Sequence, residues 1–112
     1  MPKQNLISVG QLYKLPPNEL NSFRNCAIVV SPEDSIGTTG NVVAAFVKTG
    51  TAHKPWHVQK GSEYLDCWVP FRIPVECLNS KCELIGGFSE EEIPKIHIAF
   101  EAMESEKGVF RL

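Results

Sequence analysis

Two imidazoles, two ammoniums, two hydroxyls and an indole crowd into "KTGTAHKPWH", the stretch from Lys48 to His57. Imidazoles titrate in the neutral range and can carry a proton to or from a reacting oxygen. Lysines meet phosphate oxygens as point charges, and threonine hydroxyls can donate to the same oxygens. A further cation, Arg24, stands apart in sequence, and a guanidinium offers paired donors to a phosphate. Lys48, Thr49, Thr51, His53, Lys54, Trp56 and His57, with Arg24, therefore form a candidate set for chemistry at a phosphate group. Each also has a plainer reading. "TGT" is an ordinary turn sequence, His57 alternates with Trp56 and Val58 as a solvent-facing strand residue would, and Trp56 suits an apolar core.

The elements that would position these residues read mainly as strands. "LISVGQLYKL" is a first strand interrupted at Gly10, and "PPNELNSFRN" is a polar loop punctuated by Pro16 and Pro17. "CAIVVS" and "NVVAAFVK" are continuous apolar runs rich in β-branched residues, the pattern of strands covered on both faces. "PEDSIGTTGN" between them is a wide loop. "PWHVQ" alternates as a half-buried strand, and "YLDCWVPFRIPVEC" supplies one or two more, with Pro70 and Pro74 requiring an edge, a bulge or a break. "CELIGGF" is a last short strand.

The period then changes. Ser89 and Glu92 have capping-box spacing, and Ile93, Ile96, Phe100 and Met103 mark one helical face. Pro94 near the start predicts an irregular first turn, and Gly108 marks the end. The expected fold is a single domain over residues 1–112, mainly β with a C-terminal α element: a small barrel carrying one C-terminal helix.

Composition narrows the classes. With 112 residues and 43% hydrophobic content the chain can bury a core of its own. No apolar run is long enough for a membrane helix, and the N-terminus lacks the apolar core of a secretory signal. A cytoplasmic location is expected, and reduced thiols with it. Cys26, Cys67, Cys77 and Cys82 form no CxxC pair, so they read as buried structural thiols rather than ligands of a metal. The net charge of −2 hides an asymmetry. Residues 1–60 carry six Lys/Arg against three Asp/Glu, and residues 61–112 carry five against ten. The basic half is the one holding the polar loop.

Three segments, in this order, resemble the MazF/PemK/Kid family of toxin ribonucleases. They are "VGQLYKL" with the later "RNCAIVVSPED", then "NVVAAFVKTGTAHKPWHV", then "ELIGGFSEEEIPKIHIAFEAM". The resemblance spans nearly the whole chain. It implies an SH3-like barrel, a homodimer, an antitoxin protein as partner, and metal-independent, sequence-specific cleavage of single-stranded RNA without a cofactor. By the same resemblance Arg24 and Thr49 are the catalytic residues, and Lys48, Thr51, His53, Lys54, Trp56 and His57 line the RNA path. Arg24-Asn25 stands where the family has Arg-Pro, and "FRIPVEC" where it has an Asp-Gln pair. Those departures admit two alternatives: a CcdB-like toxin that poisons gyrase by binding it, or a binding module that has lost catalysis.

Overall fold

The computed structural model describes residues 7–16, 25–30 and 40–108. Arg24, most of the loop before it and the loop at 31–39 lie outside the described residues. Six strands and two helices follow one another: β1 (Gln11–Lys14), β2 (Asn25–Val30), β3 (Asn41–Thr49), β4 (His57–Lys60), β5 (Glu63–Pro74), α1 (Val75–Lys81), β6 (Glu83–Gly87) and α2 (Ile93–Lys107). The strands form one antiparallel sheet in the order β4-β5-β3-β2-β1-β6, curled into a half-barrel with α2 against it.

Both faces of this sheet are covered, which is why β2 and β3 are apolar at successive positions. Alternation sends Ala27, Val29, Ala45 and Val47 to one face, where they pack with Leu12, Val58, Leu65, Cys67 and with Ile96 and Ala99 of α2. It sends Cys26, Ile28, Val42 and Ala44 to the other, where they meet Tyr13, Leu15, Ile73 and Val75 and Leu78 of α1. The second helix is a departure from the expected single one. "YLDCWVPFRIPVEC" reads as strand through Cys77, yet Pro74 (φ −64°, ψ 139°) acts as the N-cap of a helix that begins at Val75. Val75 and Leu78, three residues apart, then bury one helical face.

β5 runs unbroken through both prolines. Its pairing to β3 steps from Phe46↔Asp66 to Ala44↔Phe71, so residues 67–70 lie opposite Ala45 alone. Pro70 sits in that bulge, where its missing N–H costs no ladder bond. The bulge also moves the buried residues of β5 from one face, Leu65 and Cys67, to the other, Ile73.

The chain enters α2 through a turn. The Ser89 amide donates to the Glu92 carboxylate at 2.9 Å, half of the expected capping box, and the helix itself begins at Ile93. Pro94 thereby falls in the first turn, where an N–H has no intrahelical partner to lose. Gly108 ends the helix at φ 69°, its amide donating to the carbonyls of Glu104 and Ser105. At the opposite end of the same face, Gly10 has φ 94°, and a Cβ there would stand 3.1 Å from the Ile93 side chain.

The helical face departs from the expected Ile93, Ile96, Phe100 and Met103, since Ile93 is only half-buried and Ala99 takes a buried place. Ile96, Ala99 and Met103 are buried, whereas Phe100 is half-buried at the rim of the core. Ile96→Ala is therefore expected to cost about 2–5 kcal/mol, and Phe100→Ala less than that despite its larger side chain. Urea unfolding of both variants with an unchanged m-value checks the order.

Candidate functional site

The register of three strands collects polar groups on one face. Lys48 pairs with Tyr64, His57 with Asp66, and Gln59 with Tyr64. Because Val47, Leu65 and Val58 fill the α2-side core, their neighbours Lys48, Tyr64, Asp66, His57 and Gln59 share the opposite face. This group lies at the Thr49 end of β3, away from the Asn41 end, where β5 pairs up to Pro74 and leads into α1.

Asp66 is the hub. Its carboxylate accepts from the Lys48 ammonium at 2.7 Å and from the Trp68 amide at 3.0 Å, and it lies 3.5 Å from His57 Nε2. Burial disfavours its charge, but Lys48, the Trp68 N–H and His57 together outweigh that and hold the carboxyl below its ordinary range. The His57 side chain is only 4% exposed. Its Nδ1 accepts a hydrogen bond from the His53 amide at 3.2 Å, so its proton belongs on Nε2, facing Asp66. Burial pushes this imidazole below its ordinary 6.5 even though Asp66 pulls the other way, with His53, Lys48 and Lys54 adding to the depression.

His53 has the opposite arrangement. Its Nδ1 lies 2.9 Å from the Thr51 carbonyl oxygen, which requires Nδ1–H as donor, so in the neutral ring the lone pair is on Nε2. The ring stands edge-on to His57 at 4.6 Å and to Tyr64 at 5.8 Å, and the residue is exposed. Tyr64 in turn lies against His57, with centroids 4.4 Å apart.

One amide side chain closes the loop. Gln59 Oε1 accepts from the Ala52 amide at 2.6 Å, and its Nε2 faces the carbonyls of Gly50, Gly61 and Glu63 at 2.8–3.2 Å. Gly50, at φ 132°, allows the turn out of β3 against the Tyr64 ring.

Of the residues singled out from sequence, Lys48, His53 and His57 come together. Thr49, next to Lys48 in a strand, falls on the opposite face, exposed and paired with Glu63. Thr51 is exposed and contributes its carbonyl rather than its hydroxyl. Lys54 is exposed, 5.9 Å from the Trp56 ring centroid. Trp56 is half-buried, packed on the α2-side core and against Trp68 at 4.4 Å, so core packing is its main role. Arg24 lies outside the described residues. Sequence reading missed Asp66, Tyr64 and Gln59, although strand alternation in "EYLDCW" opposite "HVQK" puts all three on the His57 face. Among the described residues no group of three or more His, Cys, Asp or Glu side chains is arranged to hold a metal ion. No helix there is long and apolar enough to cross a membrane.

The sequence matches no protein-family model and no curated protein.

The pH dependence follows from His57. Its folded pKa lies below the unfolded value, so the unfolded chain takes up the proton first as pH falls. Its stabilisation is present above about 6.5 and declines as pH drops below that, levelling off under the folded pKa. Asp66 has its effect lower, near the ordinary 3.8. Melting temperatures measured from pH 8 to pH 5 should fall toward acid, and His57→Gln should flatten that part of the curve.

Proposed function

We propose that the corner formed by β3, β4 and β5 binds single-stranded RNA and cleaves it by metal-independent transesterification, in a toxin of a toxin–antitoxin pair. The observation that carries this reading is the state of His53. Its Nδ1–H is committed to a backbone carbonyl, its Nε2 lone pair is available, and the ring sits on an exposed loop beside Lys54. In this scheme His53 Nε2 takes the proton from a ribose 2′-hydroxyl. The 2′-oxygen bonds to phosphorus, the bond from phosphorus to the 5′-oxygen breaks, and that oxygen takes a proton from water as it leaves. Arg24, the arginine implied by the family resemblance, serves as the donor to the phosphorane oxygens, and Thr49, which faces the other side of the sheet, has no part in this scheme. Lys54 contacts a neighbouring backbone phosphate. The cytoplasmic location, the two-fold homodimer and the antitoxin partner belong to the same proposal.

A second reading has its own support. Transesterification needs an acid as well as a base, while both His57 nitrogens and the Lys48 ammonium are engaged inside the protein. That arrangement favours a module that binds RNA and leaves it intact.

Incubation of the purified chain with a long single-stranded RNA in EDTA separates the two. The nuclease reading expects discrete products ending in cyclic phosphates, lost by about 10²-fold or more in Arg24→Ala. It also expects Lys54→Ala to weaken binding and to reduce the salt slope by about one. Binding without products selects the module, and absence of binding removes both.

A further inference from the structure

The loop between β3 and β4 is tied down by hydrogen bonds of two kinds. Most of them do not respond to a proton. The Gly50 amide donates to the Ser62 carbonyl at 3.0 Å, the Ala52 amide to Gln59 Oε1, and the His57 amide to the Lys54 carbonyl at 3.0 Å. The bond from His53 Nδ1 to the Thr51 carbonyl survives protonation of its own ring. That Nδ1 carries a hydrogen both in the neutral tautomer and in the imidazolium. The bond from the His53 amide to His57 Nδ1 is of the other kind. Its acceptor is a lone pair that an imidazolium does not have.

We propose that this contact is a proton-operated latch: a proton on His57 Nδ1 expels the His53 amide and releases residues 53–56 from the sheet. Two N–H groups would otherwise point at one another across 3.2 Å between nitrogens, so one side must move. His57 stays, because its Nε2 faces Asp66 and Tyr64 lies against its ring. The loop is the weaker side, exposed and joined to the sheet here through one amide and the edge of the His53 ring.

The groups around His57 favour the same outcome. From the loop, His53 and Lys54 oppose a further cation, and so does Lys48 from β3. The Asp66 carboxylate on β5 attracts one but is already bonded to the Lys48 ammonium at 2.7 Å, and Tyr64, also on β5, meets His57 ring to ring. The His57 side chain is 4% exposed while latched, and opening lets water reach the new charge. Burial first, and then these cations, keep the latched ring neutral to below its ordinary 6.5. The latch is therefore closed at neutral pH and opens as pH falls.

Opening withdraws the His53 ring from His57 and Tyr64 and leaves Gln59 holding the Gly50 and Ala52 end of the loop. For the RNA reading of this corner, on which this consequence alone rests, the latch is a regulator. His53 and Lys54 are in place near neutrality and dispersed in acid.

Amide exchange with solvent, measured residue by residue on the nitrogen-labelled full chain from pH 8 to pH 5, tests the latch. Protection is taken relative to an unstructured chain at the same pH. The His53 amide should lose protection by about tenfold per pH unit below about 6.5, levelling off once side-chain nitrogen shifts show His57 charged. The Ala52 amide, held by Gln59, should keep its protection throughout. In His53→Ala the amide at position 53 should keep its pH dependence, because the titrating acceptor is still there. A His53 amide that stays protected while His57 becomes charged would overturn the proposal. So would equal loss at Ala52 and His53, which reports melting of the whole loop. Disappearance of the pH dependence in His53→Ala would trace it to the other imidazole and overturn the latch as well. No RNA enters the measurement, so the latch stands or falls apart from the RNA reading.

Discussion

The Asp66 carboxylate joins three segments that are distant in sequence: β3 through the Lys48 ammonium, β4 through His57, and its own bulge through the Trp68 amide. A half-buried carboxylate is tolerable only because all three partners reach it. The consequences spread outward from there. With Nε2 turned to Asp66, His57 offers its Nδ1 to the His53 amide, which fixes the loop between β3 and β4. The loop then holds His53 against the Thr51 carbonyl. Removing Asp66 alone would leave the Lys48 ammonium and a nearly enclosed imidazole without their shared partner. Asp66 is thus the constraint on which the shape of the corner depends.

The sheet makes this corner available by a division of labour along β3. At the Asn41 end its residues are sandwiched between core clusters on both faces, one including α2 and the other α1. At the Thr49 end the α2-side face remains apolar, while the other face carries Lys48, Tyr64, Asp66, His57 and Gln59. The bulge at residues 67–70 lets β5 serve both regions, since it changes which face of that strand is apolar between Cys67 and Ile73. The apolar side supplies rigidity, and the polar side inherits it. Gln59 then pins the connecting loop through backbone groups at Gly50, Ala52, Gly61 and Glu63.

Much of this was legible in the residues. Continuous apolar runs gave β2 and β3 as two-sided strands because burial on both faces removes the alternation. Gly108 and the three- and four-residue spacing gave α2, since few local signals besides glycine permit a left-handed helix end. The first residues of α1, Val75 to Cys77, continue a strand-like run from Tyr64, and tertiary packing of Val75 and Leu78 decides for the helix. The site was half legible. A dense polar loop pointed to Lys48, His53 and His57, but the groups that organise them sit on strands, where single polar residues look like ordinary solvent-facing positions. Thr49 shows the same limit from the other side: adjacency in sequence to Lys48 means opposition across the sheet.

The central claim is that Asp66 and the loop backbone hold His57 and His53 in opposite neutral tautomers. Long-range proton–nitrogen correlation spectra of the histidine side chains at pH 7.5 test it directly. The account predicts a protonated Nε2 and a bare Nδ1 for His57, and a protonated Nδ1 and a bare Nε2 for His53. A His57 ring protonated on Nδ1, or two rings averaging between tautomers, would contradict it.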